Sequence, residues 1–236
     1  MNFPNPPDGL PSVPVSTPTR PSIGMAFGAG AARGWSHIGV LERLVEAGFA
    51  PDAIAGTSVG ALTGGLYAAG KLEALKEFAL SMTRRRVLSL LDFSLGGASL
   101  IGGARLTNLL LEQVGDMTFA ELPIPLVCIA TELFTGHEIW LRSGHLADAI
   151  RASYALPGVF KPVEIGHQWL IDGAVVNPTP VSACRALGAR LVIAVNLNAD
   201  AFGGTVLQSP PALSQTPATA PQNRSSLLRR MVGRRS

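Results

Sequence analysis

Ala53-Ile54-Ala55-Gly56-Thr57-Ser58-Val59-Gly60-Ala61-Leu62-Thr63-Gly64-Gly65-Leu66-Tyr67-Ala68-Ala69-Gly70 runs for 18 residues without a charge. That length meets the test for a membrane-spanning helix. The composition argues against one. Five glycines, Thr57, Ser58 and Thr63 interrupt the run, and it lacks a Leu-, Ile- and Val-rich centre. A short buried strand at Ala53–Ala55, a turn, and a small-residue helix over Val59–Ala69 account for it better. The turn holds Gly56-Thr57-Ser58-Val59-Gly60, a GxSxG pattern. A serine at such a turn has a strained backbone, and side chains in place of the flanking glycines would collide with neighbouring structure. Its hydroxyl then stands at a helix N-terminus, where free N–H groups and the macrodipole favour an alkoxide or oxyanion. Ser58 is the candidate nucleophile. The plain alternative is a helix-capping serine.

Outward from this turn, strands and helices alternate. Ile23–Phe27, Leu126–Glu132, His137–Leu141, Trp169–Ile171 and Leu191–Asn196 read as strands. Ser36–Ala47, Leu72–Met82, Thr107–Val114, Leu146–Ser153 and Pro180–Leu187 read as helices, with Leu95–Ala104 a Gly-rich loop. The alternation predicts an α/β fold with a central, mostly parallel sheet and helices on both faces.

Gly28-Ala29-Gly30-Ala31-Ala32-Arg33-Gly34 follows the first strand and opens a helix. One reading is a dinucleotide loop, but Arg33 occupies the place of the third glycine in GxGxxG. The second strand also leads into the GxSxG rather than to a ribose-binding acid. The other reading is an oxyanion hole. Gly30 and Ala31 supply N–H donors there, beside the charge of Arg33.

Charge narrows the field further. The formal net charge of +3 points toward nucleic acid. Yet residues 201–236 contain five arginines and no acid, while residues 23–200 carry 13 Lys plus Arg against 15 Asp plus Glu. The basicity belongs to a tail, and a nucleic-acid-binding domain is not expected. Residues 1–22 and about 203–226 hold 11 of the 18 prolines. This predicts a disordered Pro-rich segment over 1–22, a folded domain over 23–200 and a disordered basic tail over 201–236. Met1–Pro21 lacks the apolar core of a signal peptide. Cys128 and Cys184 have no CxxC neighbour and read as buried reduced thiols, which fits a cytoplasmic setting. No metal-ligand cluster is visible, so no metal or cofactor is expected.

Taken together, these residues resemble the patatin-like phospholipase family, especially its small bacterial members. The resemblance spans roughly residues 22–198. It rests on the glycine loop with Arg33-Gly34, His37-Ile38-Gly39-Val40-Leu41, the Gly56–Gly60 turn, Ala152-Ser153, Pro157-Gly158-Val159-Phe160, and Asp172-Gly173-Ala174. It implies a three-layer α/β/α patatin-like fold and a Ser–Asp dyad that hydrolyses acyl esters. Carried over by motif, Ser58 is the nucleophile and Asp172 the base. Gly30, Ala31 and Arg33 line the oxyanion hole, with Gly28, Gly34, Gly56, Gly60 and Gly173 as motif glycines. Ala29 and Ala31 stand where many relatives have glycine; the hole survives if these positions keep φ below zero. Glu132 stands where relatives often have Asp, a structural difference. Bacterial relatives often continue past the last strand with helical structure, whereas here a Pro-, Ser- and Gln-rich stretch follows.

The residues themselves agree on one point. A Ser–His–Asp triad needs a late histidine, and none of His37, His137, His145 and His167 follows Asp172. A carboxylate base must then be raised from its ordinary pKa by desolvation.

The expected substrate is a lipid or other acyl ester, cleaved through an acyl-serine intermediate by phospholipase A, lysophospholipase or esterase chemistry. Val87–Phe93 and Leu95–Gly103 are candidates for a mobile cover. Arg84-Arg85-Arg86 and the tail arginines offer loose peripheral attraction to anionic membranes. The alternatives are a catalytically weak regulatory protein that keeps the fold, and a dinucleotide-binding oxidoreductase.

Overall fold

A computed structural model describes residues 20–81 and 98–198. The expected terminal segments, Arg84–Arg86 and Val87–Phe93 lie wholly or largely outside the described residues.

Apolar runs with β-branched residues form the strands. β1 (Ile23–Phe27), β2 (Ala53–Thr57) and β3 (Leu126–Glu132) are buried along their whole lengths. A strand covered on both faces needs no polar alternation. β7 (Leu191–Val195) pairs with β1, β1 with β2, and β2 with β3, all parallel. Three antiparallel strands complete the sheet: β4 (Glu138–Leu141) and β6 (Gln168–Asp172) pair with β3, and β5 (Val163–Ile165) pairs with β6.

Successive residues of the parallel strands face opposite layers. Met25, Phe27, Ile54 and Cys128 face one core, and Ala26, Ala55, Val127 and Ile129 face the other. The first core is closed by α1 (Ser36–Glu46), α2 (Val59–Ala68), α3 (Leu72–Ser81), α4 (Ala98–Val114) and α5 (Leu146–Ser153). The second is closed by α6 (Val181–Ala186) through Ala183 and Cys184. Small residues let α6 approach closely, since a Cβ on Gly24 would lie 2.4 Å from the Cys184 sulfur. This is the expected three-layer α/β/α arrangement.

One expectation needs correction. Residues 98–104 belong to α4, not to a Gly-rich loop. Leu106, Leu109 and Leu110 anchor the helix on the core. Once nucleated, a helix extends at little cost, which here offsets about 1 kcal/mol for each of Gly102 and Gly103. β5 leaves no signal in the sequence, because three residues carry too little periodicity. The 18-residue charge-free run forms β2, the turn and α2, and α2 is ten residues long. Among the described residues, no helix is long and apolar enough to cross a membrane.

Candidate active site

β3 sets the site by its register. β2 runs parallel to it and ends with Thr57 opposite Ile129. β6 runs antiparallel and ends with Asp172 opposite Ala130. The C-terminal ends of β2 and β6 therefore advance toward each other and stop at adjacent positions. The side chains just beyond the join meet: Ser58 Oγ donates to Asp172 Oδ2 at 2.6 Å. Thr131 Oγ1 donates to the Asp172 carbonyl at 2.9 Å and holds the end of β6.

Ser58 adopts φ 59° and ψ −125° between β2 and α2. Such a backbone is strained for a residue with a Cβ and persists only where packing enforces it. The enforcement comes from glycines. A Cβ on Gly60 would lie 2.2 Å from the Phe27 carbonyl oxygen, and one on Gly56 2.5 Å from Ala61 Cα. A Cβ on Gly34 would lie 2.1 Å from the Val59 side chain, and one on Gly173 2.3 Å from the Ile129 carbonyl oxygen. The glycine loop, the elbow and the Asp172 turn are thus stacked at backbone contact.

Desolvation raises the Asp172 carboxyl to about 6, against hydrogen bonds from Ser58 and from the Ala174 N–H that lower it. The Ala174 N–H donates to Oδ1 at 2.8 Å, so the two carboxylate oxygens are differently engaged. Oδ2 faces the serine.

The glycine loop lies on the other side of Ser58. The Gly28 N–H donates to Val195 and the Ala29 N–H to Pro178, which fixes the start of the loop. Among the described residues, the N–H groups of Gly30 and Ala31 have no recorded acceptor. Ala31 takes φ 46°, so the condition that this position keep φ below zero is not met. The loop turns sharply there into a short 3-10 helix (Ala31–Trp35), and the strain costs about 1 kcal/mol. Its N–H is retained. Arg33 lines a cleft beside Ser58, and its Nη1 donates to the Leu197 carbonyl at 3.2 Å. His37 is fully buried; its Nε2–H donates to the Gly28 carbonyl at 2.7 Å, and burial lowers its pKa. It is a neutral brace for the loop. His137, His145 and His167 lie outside both cavities that border Ser58.

Those two cavities meet at Ser58 and Asp172. An apolar one of about 120 Å³ is walled by Trp35, Leu62, Phe78, Leu106, Tyr154 and Phe160. A more open cleft of about 320 Å³ is bounded by the glycine loop, Arg33, Ala174 and Asn198. Glu132 is not part of either. Its carboxylate accepts the Phe134 and Thr135 N–H groups and the Thr135 hydroxyl, which closes the β3–β4 turn. That agrees with its structural reading.

Three further residues, to which the sequence assigns no role, support the site. Ser153 Oγ accepts the Ser58 N–H at 3.0 Å. The Asn177 carbonyl accepts the Thr57 hydroxyl at 2.8 Å. Asn198 Nδ2 donates to the Ala29 carbonyl at 3.0 Å. Only Ser153 left a signal, as part of the Ala152-Ser153 pair that carried the resemblance.

The fold and the elbow define an α/β protein with a serine held between a strand and a helix and a buried carboxylate against it. The family model described as patatin-like phospholipase matches residues 25–185, and the chain belongs to that family. The chain is 40% identical over 183 residues to "Uncharacterized NTE family protein Rv1063c" of Mycobacterium tuberculosis, which covers 78% of this chain and 51% of that protein. It is 35% identical over 183 residues to "Patatin-like phospholipase domain-containing protein ZK370.4" of Caenorhabditis elegans, covering 75% of this chain and 14% of that one. The chain thus spans about half the length, or less, of the relatives it matches. The crystal structure of VipD from Legionella pneumophila aligns with a TM-score of 0.47 and 15% identity, over 68% of this chain and 47% of that one.

Proposed function

We propose that the chain is a serine acyl hydrolase that cleaves carboxylic esters of lipids by a Ser58–Asp172 dyad. The carrying observation is the 2.6 Å contact between Ser58 Oγ and a desolvated carboxylate, at the join of an apolar cavity and a cleft edged by Gly30 and Ala31.

The chemistry follows from that arrangement. The acyl chain lies in the apolar cavity, and the ester carbonyl sits over Ser58. Oγ attacks the carbonyl carbon while its proton passes to Asp172 Oδ2. The carbonyl oxygen becomes an oxyanion and takes the N–H groups of Gly30 and Ala31, with the Arg33 charge nearby. Collapse breaks the C–O bond to the alcohol, and Asp172 returns the proton to the leaving oxygen. Water then attacks the acyl-serine carbon and gives its proton to Asp172. The acid is released as the proton goes back to Ser58 Oγ.

A carboxylate at about 6 is a better base than one at the ordinary value near 4, yet stays ionised at neutral pH. Purified protein is expected to hydrolyse p-nitrophenyl esters and release fatty acid from phospholipid or lysophospholipid. Ser58→Ala should abolish both while the circular dichroism spectrum stays unchanged. Full turnover in Ser58→Ala contradicts the assignment.

A further inference from the structure

The β2–β3 ladder stops at Thr57 opposite Ile129, and a hydroxyl takes the place of the next rung. The ladder is parallel, and the Ile54 N–H donates to the Pro125 carbonyl at 2.9 Å. Rungs from one strand repeat every two residues in a parallel pair. The repeat puts the Ser58 N–H opposite the Ile129 carbonyl. No direct bond joins them. Instead the Ser58 N–H donates to Ser153 Oγ at 3.0 Å, and the Ser153 O–H donates to the Ile129 carbonyl at 2.6 Å. Ser153 is fully buried at the C-terminal end of α5.

We propose that Ser153 is a positioning residue whose hydroxyl, inserted between β2 and β3, holds Ser58 out of the strand in the attacking geometry. This rests on Ser58 being the nucleophile. The hydroxyl is suited to the task because it both donates and accepts. It satisfies the Ser58 N–H, one residue past β2, and the facing Ile129 carbonyl at once, so neither is left buried without a partner. It also holds the two strands one oxygen apart where the chain turns into φ 59°. Without the wedge, the Ser58 N–H can close directly on the Ile129 carbonyl. That closure draws Ser58 back toward extended backbone and its Oγ away from Asp172. A shift of about 1 Å at a reacting atom costs about a hundredfold in rate.

Ser153 touches neither cavity, so ester binding should be spared. The test combines kinetics with a structure. Ser153→Ala, Ser153→Cys and, as a control for core damage, Val114→Ala are compared with wild type at a temperature below every melting midpoint. Ser153→Cys keeps the shape and bonds weakly, which guards against an unfolded alanine variant. The proposal expects kcat for p-nitrophenyl butyrate to fall about a hundredfold in the alanine variant and about tenfold in the cysteine variant. KM should stay within about twofold, and Val114→Ala should keep kcat. Wild-type kcat in either Ser153 variant overturns the proposal, as does an equal loss of kcat in Val114→Ala. A crystal structure of a Ser153 variant decides the geometry even if no ester is turned over. A Ser58 N–H to Ile129 carbonyl bond with Oγ displaced supports the wedge, and an unmoved Ser58 overturns it. An inactive wild type with a displaced Ser58 in the variant counts against the hydrolase reading alone.

Discussion

At the residue scale, the site holds one carboxylate that is costly to bury. Asp172 is 2% exposed and its pKa is raised to about 6. In the proposed reaction its ionised form is the base, so kcat/KM should fall as pH drops through about 6, and a pH–rate profile measures the midpoint. The same shift has a consequence for stability. A carboxyl whose folded pKa exceeds its unfolded value binds its proton more readily when folded. Its burial therefore destabilises the protein above about pH 6, and the penalty vanishes below about pH 4. Two pKa units correspond to about 3 kcal/mol. Asp172→Asn should be more stable than wild type by that order at pH 8 and equal to it at pH 3.5, as read by denaturant titration at both values. A difference that grows toward acid pH would contradict this. His37 is shifted the other way: burial lowers its pKa, and its Nε2–H holds the Gly28 carbonyl.

At the scale of elements, β3 is the ruler against which the two halves of the site are aligned. The strand periodicity that reveals β3, β2 and β6 is legible in the sequence, and so is the GxSxG turn. The meeting of β2 and β6 end to end is not, because register depends on tertiary pairing rather than on local pattern. For the same reason Asp172 could be assigned only by resemblance. Its neighbours, an Asp-Gly pair, look like any turn. The glycines were readable as necessary, but the partner each one makes room for was not. Gly60 is the sharpest case, with a Cβ position 2.2 Å from the Phe27 carbonyl. Relief requires α2 to move off β1. Gly60→Ala is expected to lose 3 kcal/mol or more, on the order of the largest single-site effects, as measured by urea unfolding. A loss under about 1 kcal/mol would show that the elbow is looser than described.

At the scale of the whole molecule, the layers divide the labour. The α1–α5 face carries the bulky core and the apolar cavity, while α6 covers a face of small residues. Both cysteines lie inside this arrangement, Cys128 on β3 and Cys184 on α6, and burial raises both thiols, Cys184 to about 11. A thiol reagent at pH 8 should modify both only at the rate of unfolding, and immediate modification of either would contradict the packing. The three-layer class was legible from alternating strands and helices. The extent of α4 was not, since Gly102-Gly103 disguised a helix that the core stabilises from its far end.

The central claim is that Ser58 is made nucleophilic by Asp172. Its most direct test is the rate of fluorophosphonate modification as a function of pH, with the modified peptide identified by mass spectrometry. A single adduct on Ser58 is expected, formed at a rate that rises through a midpoint near pH 6 and is about a hundredfold lower in Asp172→Asn. An adduct on another residue, or an undiminished rate in Asp172→Asn, would contradict it.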